Sequence, residues 1–207
     1  MRWRRDLTRG LRPSGLLSAV MLLALSPAWR ADADGRDVGA RPPGAFDYYV
    51  LSLSWVPGFC AIHRGRASEC AMGLGFALHG LWPQSNDGAY PTDCETLPLT
   101  RDDIERYADL YPSPSLIAHE WRKHGTCSGL PPRAYFALAA RDFRRIRIPA
   151  IDGRDGALRA TEADRVKSAF LAANPGLPRT AITTVAAQGL LAEVHLCLTK
   201  AGAFRPC

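Results

Sequence analysis

Residues 76–84 read FALHGLWPQ and residues 118–127 read AHEWRKHGTC, and the organisation of the chain follows from what these two stretches must be. The first lies in an apolar run, GFALHGLW, bounded by Gly73 and Pro83, which reads as a short strand opening into a loop. The second reads as the end of a helix: Ser113-Pro114 starts SLIAHEWRKH with proline at the first helical position, and Gly125 closes it. A helix advances about 100° per residue, so with His119 at zero, Lys123 sits near 40°, Glu120 near 100°, His124 near 140° and Trp121 near 200°. Four ionisable side chains therefore share one broad face, and Trp121 anchors the helix in the core from the opposite side. Clustered ionisable groups are costly to bury unpaired and are what acid–base chemistry requires.

Working outward, FDYYVLSLSWVP alternates Val50, Ser52, Ser54 with Leu51, Leu53, Trp55, the period-2 pattern of a strand that Pro57-Gly58 ends. Thr100 caps a helix over TRDDIERYADLY, with acids in its first turn. PRAYFALAARDFRRI and TEADRVKSAFLAAN read as amphipathic helices, the second stopped by Asn174-Pro175-Gly176. AITTVAA and LLAEVHLCLT read as strands, and Lys200-Ala201-Gly202 as a turn. Strands and helices mix without regular β-α-β alternation, which favours an α+β fold. The glycines of GLGFALHG make no dinucleotide fingerprint, because Leu78 stands where the third glycine belongs.

The 207 residues suffice for one domain with a substantial core, and 47% apolar with 22% charged residues is ordinary for a globular protein. At the beginning, MRWRRDLTRGLR is followed by the apolar run GLLSAVMLLALSPAW and by the small residues Ala28, Ala31 and Ala33, the layout of an export signal over residues 1–33. Residues 34–45 read as a flexible lead-in and 46–207 as the folded domain. The charge of +6 is therefore a poor guide to nucleic-acid binding: residues 1–28 hold five arginines against one acid, which leaves about +2 for the remainder. Cys60, Cys70, Cys94, Cys127, Cys197 and Cys207 are an even count behind an export signal, as expected of disulfides in a secreted or periplasmic protein. No C-x-x-C pair supports a zinc ribbon or thioredoxin-like site, and spacing alone does not choose the pairing.

The HEWRKH segment also differs from the zinc motif H-E-x-x-H. Its histidines are five apart and diverge by about 140° on an ideal helix, which argues against a shared metal and a metal-dependent hydrolase. Alone, it would read as a solvated charged face. His79, carried by a different element beside Trp82, changes that reading. Two histidines on separate elements suit phosphodiester cleavage by RNA's own 2′-hydroxyl, one imidazole removing a proton and one imidazolium returning it, since histidine titrates at about 6.5. A cation such as Lys123 can stabilise the charge that grows on phosphorus. This chemistry calls for no cofactor.

FALHGLWPQ and AHEWRKHGTC together resemble the two signature segments of the ribonuclease T2 family, secreted and lysosomal acid-type ribonucleases, and appear in the family's order. YVLSLSWVPGFC resembles the family's first core strand, and EVHLCL and the terminal RPC its closing strand and last cysteine, so the likeness covers residues 46–207. It implies a single disulfide-stabilised α+β domain with a central, mainly antiparallel sheet packed against several helices. It implies an exported, metal-independent endoribonuclease that cleaves single-stranded RNA to a 2′,3′-cyclic phosphate with broad base specificity, for RNA scavenging. Position by position, His79 matches the general acid and His124 the general base. Glu120 and Lys123 match groups that polarise the phosphate, His119 a phosphate-binding histidine, and Trp82 an aromatic that stacks on a base. The partner is RNA; DNA lacks the attacking hydroxyl, the mature protein needs no membrane, and a monomer is expected. The likeness also implies a Cys94–Cys127 bridge, leaving Cys60–Cys70 and Cys197–Cys207 to close short loops.

Some positions depart from the family pattern. Gln84 follows HGLWP where some relatives carry Asp, and Leu116 and Ile117 stand where aromatics are common, so no base preference follows. His63 and His195, in a loop and a late strand, read as structural or exposed rather than catalytic. The alternative class is a non-catalytic binding or storage protein on the same fold. It predicts loss of a catalytic histidine, whereas His79 and His124 are both present.

Overall fold

The longest apolar alternation of the chain becomes the strand on which the rest is assembled. In the computed structural model, which describes residues 42–64, 68–151 and 156–207, β1 (Tyr48–Trp55) lies inside a four-stranded antiparallel sheet. Its neighbours are β2 (Phe76–Gln84) on one side and β4 (Leu190–Thr199) on the other, and β3 (Ile182–Ala187) completes the order β2-β1-β4-β3. Between them run α1 (Val56–Ile62), α2 (Arg101–Arg106), α3 (Pro114–Lys123), α4 (Pro132–Arg145) and α5 (Ala163–Ala173). This is the expected α+β architecture. The described residues fall in one compact unit, whereas the expected export signal and residues 34–41 of the lead-in lie outside them.

Successive strand side chains point to opposite faces, and here the two faces do different work. Tyr49, Leu51, Leu53 and Trp55 of β1 join Leu78, Leu81, Val194 and Leu196 in the core. Ile117 and Trp121 of α3, Tyr135 and Phe136 of α4, and Val166 and Phe170 of α5 pack against them. The other face carries Val50 and Ser52, with Trp82 and Gly80 opposite them on β2 and Cys197 and His195 opposite them on β4. The polar half of the alternation thus forms a floor for a site.

β2 continues through Pro83 to Gln84 rather than ending before the proline. As an edge strand it tolerates a residue with no N–H to give to the ladder. The Leu81 carbonyl of this strand accepts the buried Tyr135 hydroxyl at 2.8 Å, which ties α4 to it. Between Ser52 and Leu53 the register slips: Gly80 opposes Ser52 and Leu78 opposes Leu53, so His79 is the extra residue of a β-bulge. Bulges re-aim side chains. Without this one, His79 would share the face of Leu81 and point into the core.

Three other expectations shift. The residues after β1 do not stop at Pro57-Gly58 but enter α1, with proline in the first turn where its missing N–H costs nothing. The helix capped by Thr100 ends at Arg106 instead of Tyr111, although its cap is a full capping box with Asp103. Residues 42–45, read as part of a flexible lead-in, form a turn in which the Gly44 N–H donates to the Cys127 carbonyl at 2.9 Å.

The disulfides are Cys60–Cys70, Cys94–Cys127 and Cys197–Cys207. Cys94–Cys127 closes a separation of 33 residues and straps the loop before α2 to the turn after α3. The Asp93 N–H donates to the Lys123 carbonyl at 2.9 Å beside it. Replacing both cysteines by serine should lower unfolding stability by about 3–4 kcal/mol, as loop-closure entropy gives for that length. Urea unfolding checks this, and an unchanged midpoint would show that the strap does not constrain the chain.

Candidate active site

α3 delivers its polar side chains to the sheet because its apolar ones are fixed. Ser113 caps the helix by accepting the Leu116 N–H, and Pro114 occupies the first turn. Trp121 is buried against Tyr135 and Phe136, with its indole N–H donating to the Leu97 carbonyl. Helical geometry then brings His119, Glu120, Lys123 and His124 to one cleft of about 360 Å³, lined also by His79, Trp82, Gln84 and His195. The helix stops at His124, and Gly125 is not the left-handed cap that the sequence suggested. It is required by packing instead, since a Cβ there would lie 2.3 Å from the Trp121 ring.

Glu120 is the most enclosed ionisable group in the cleft, with no exposed surface. It sits over Gly80, where a Cβ would fall 1.9 Å from Oε2. That oxygen accepts the Trp82 indole N–H at 2.7 Å. Oε1 has no hydrogen-bond partner and faces His79 Nε2 at 3.5 Å, an ion-pair distance but too long for a hydrogen bond. Burial pushes the carboxyl up to about 7, against the opposing pull of His79 and the Trp82 N–H.

The two histidines are biased in opposite directions. His79, half-buried, bonds Glu193 Oε1 through Nδ1 at 2.7 Å. Burial works against its charge, but the Glu193 hydrogen bond and the negative charges of Glu120 and Glu193 outweigh it and hold the imidazole above its usual value. His124 is only 6% exposed, and among the described residues no carboxylate counts among the causes of its shift. Burial, then Lys123, His79 and His119, push it down to about 3. Its Nδ1 is buried without a hydrogen-bond partner. Trp82 lies between them, stacked on His124 at 5.0 Å and edge-on to His79 at 5.1 Å. One face of the indole is thus already covered. His119 is held below its usual value, first by burial and then by Lys123 and Arg122.

All six residues singled out by sequence, His79, Trp82, His119, Glu120, Lys123 and His124, line this one cleft. His63 is exposed, stacked on Phe59, and outside it. His195 departs from expectation: it lines the cleft, edge-on to Trp82, and its Nε2 bonds Glu193. Sequence reasoning missed Glu193 and Tyr90 as well. Period-2 counting along β4 would have put Glu193 and His195 on one face, but not opposite His79. Among the described residues no group of three or more His, Cys, Asp or Glu side chains is arranged to hold a metal ion.

The family model described as the Ribonuclease T2 family matches residues 46–207. A ribonuclease from Aeromonas hydrophila is 48% identical over 104 residues, covering 50% of this chain and 47% of that protein. Ribonuclease Oy from Magallana gigas is 27% identical over 180 residues, covering 75% and 84%. The chain spans about half the length of the bacterial ribonucleases it matches. Among solved structures, a mutant of RNase MC1, from bitter gourd seeds, in complex with 5′-UMP superposes with TM-score 0.59 at 26% identity, covering 78% of this chain and 93% of that one.

The seating of Glu120 can be tested at Gly80. Gly80→Ala should cost about 1–3 kcal/mol, the usual penalty for overpacking. Gly75→Ala, where a Cβ meets only the Trp55 ring at 3.6 Å, should change stability by less than about 1 kcal/mol. Equal unfolding midpoints for the two variants would contradict this packing.

Proposed function

Because this chain belongs to the ribonuclease T2 family, we propose that it is an endoribonuclease that cleaves single-stranded RNA by transesterification, with His124 as general base and His79 as general acid. The observation that carries the reading is the opposed bias of two histidines lining one cleft. One is kept neutral by burial and neighbouring cations, the other kept charged by its hydrogen bond to the Glu193 carboxylate. A base must begin without its proton and an acid with it.

In the first step the 2′-hydroxyl proton passes to His124 Nε2 as the 2′-oxygen attacks phosphorus. The bond to the 5′-oxygen breaks, and that oxygen takes the proton from His79 Nε2. The products are a 2′,3′-cyclic phosphate and a free 5′-hydroxyl. Water reverses the roles when the cyclic ester opens. Lys123 and His119 line the cleft where the phosphoryl oxygens gain charge. Below its raised value Glu120 is a neutral acid whose unpartnered Oε1 can donate to one of those oxygens. Trp82 offers a base only the face that His124 leaves open, and Tyr90, 47% exposed on the same cleft, adds a second aromatic surface. Stacking tolerates any base, which supports broad specificity. DNA, without the 2′-hydroxyl, is not cut. The three disulfides support export to an oxidising compartment, secreted or periplasmic; RNA scavenging by a monomer is the role we propose there. No helix of the described residues is long and apolar enough to cross a membrane.

Incubation with total RNA in EDTA should leave activity intact and release 2′,3′-cyclic phosphate ends. His79→Ala and His124→Ala should each lower kcat by about 10²–10⁴-fold. Retained activity in both variants overturns the mechanism, and complete inhibition by EDTA overturns its independence of metal.

The pH profile follows from the same bias. Activity needs neutral His124 and is lost on the acid side only as pH falls toward 3. It needs protonated His79 and falls as pH rises through a value above 6.5. A kcat/KM optimum on the acid side of neutrality is expected; a profile that rises through pH 7 to 9 would contradict the assignment.

A further inference from the structure

We propose that Glu193 is a positioning residue for His79: its carboxylate holds Nδ1–H so that Nε2 alone exchanges the reaction's proton. The proposal rests on the reading of His79 as the general acid.

The register places Glu193 opposite Ser54 on β4, on the same sheet face as Ser52 and His195. Both carboxylate oxygens are occupied. Oε1 accepts from His79 Nδ1 at 2.7 Å, while Oε2 accepts from the Ser52 hydroxyl at 3.2 Å and from His195 Nε2 at 2.5 Å. Three donors favour the charged form of the carboxylate, with 17% of its side chain exposed. Burial alone would raise it, but the hydrogen bonds from His195 and His79 outweigh burial and hold it at about 2. Ser52 is completely buried, so its hydroxyl serves this network rather than solvent.

The consequence at His79 is directional. A neutral imidazole beside a permanent carboxylate keeps its proton on the nitrogen facing that carboxylate, as ring orienters do in other acid–base sites. Nδ1 is then never free, and Nε2, facing Glu120 across 3.5 Å, is the nitrogen that gains and loses a proton. Without this tether, a bulged residue on an edge strand would lack a fixed ring orientation. The groups that face His79 are Glu120, Lys123 and His119 from α3, His124 just beyond its end, Glu193 from β4 and Trp82 from its own strand. Among these, Glu193 is the one hydrogen-bonded to its ring.

The test is Glu193→Gln in the full chain, with steady-state kinetics on a dinucleoside phosphate across pH and ¹⁵N-resolved NMR of the histidine rings. The expected result is a kcat lower by about 10–100-fold with KM within about threefold of the parent. The basic limb of the profile should move to lower pH, and the neutral His79 ring should lose its exclusive Nδ1–H form. Glu193→Asp should restore part of both the rate and the limb. A parental kcat and limb overturn the proposal. So does a rate loss with the limb and the Nδ1–H form unchanged, which would mean a structural role only. Should Glu193→Gln fail to fold by circular dichroism, the parent protein alone decides: a neutral His79 carrying its proton on Nε2 overturns the proposal. Should the parent cleave no RNA, the functional reading fails, while the ring spectra of parent and variant still decide whether Glu193 holds His79.

Discussion

A carboxylate buried without any exposed surface, Glu120, sets the terms for everything around it. An ionised carboxyl there is expensive, and the surrounding structure limits that cost in specific ways. A glycine at position 80 makes room for it, the indole N–H of Trp82 satisfies one oxygen, and His79 faces the other. Each of these partners comes from β2, whereas Glu120 comes from α3, so the helix and the edge strand must meet in one register. Trp121, one residue along and buried in the core, fixes the helix rotation that makes this possible. The Cys94–Cys127 strap and the close packing of Gly125 on Trp121 fix its end.

Around that carboxylate the two histidines meet different surroundings. His79 enters the cleft through a β-bulge and lands between two carboxylates; His124 enters from the helix end and lands among cations and apolar surface. The same residue type is thereby given opposite charge preferences by surroundings alone. Separating two like groups in this manner is how one site can hold an acid and a base at one pH.

Much of this was legible in the sequence, for identifiable reasons. The helical wheel of HEWRKH is a local property, so the shared face of His119, Glu120, Lys123 and His124 and the inward Trp121 could be read directly. The alternation of FDYYVLSLSW likewise separated core from floor. What was illegible depends on register between distant segments. The bulge that turns His79 outward is a relation between β1 and β2, and the meeting of His79 with Glu193 spans 114 positions. His195 therefore looked like an isolated strand histidine, and the Pro57 that seemed to end a strand also opens a helix.

The central claim, that His79 is the acid and His124 the base, is tested most directly with a substrate whose leaving 5′-oxygen is replaced by sulfur. A thiolate departs without needing a proton, so the acid becomes dispensable while the base does not. His79→Ala should cleave this substrate nearly as fast as the parent enzyme, and His124→Ala should keep its full defect. The reverse pattern, or equal defects in both variants, would contradict it.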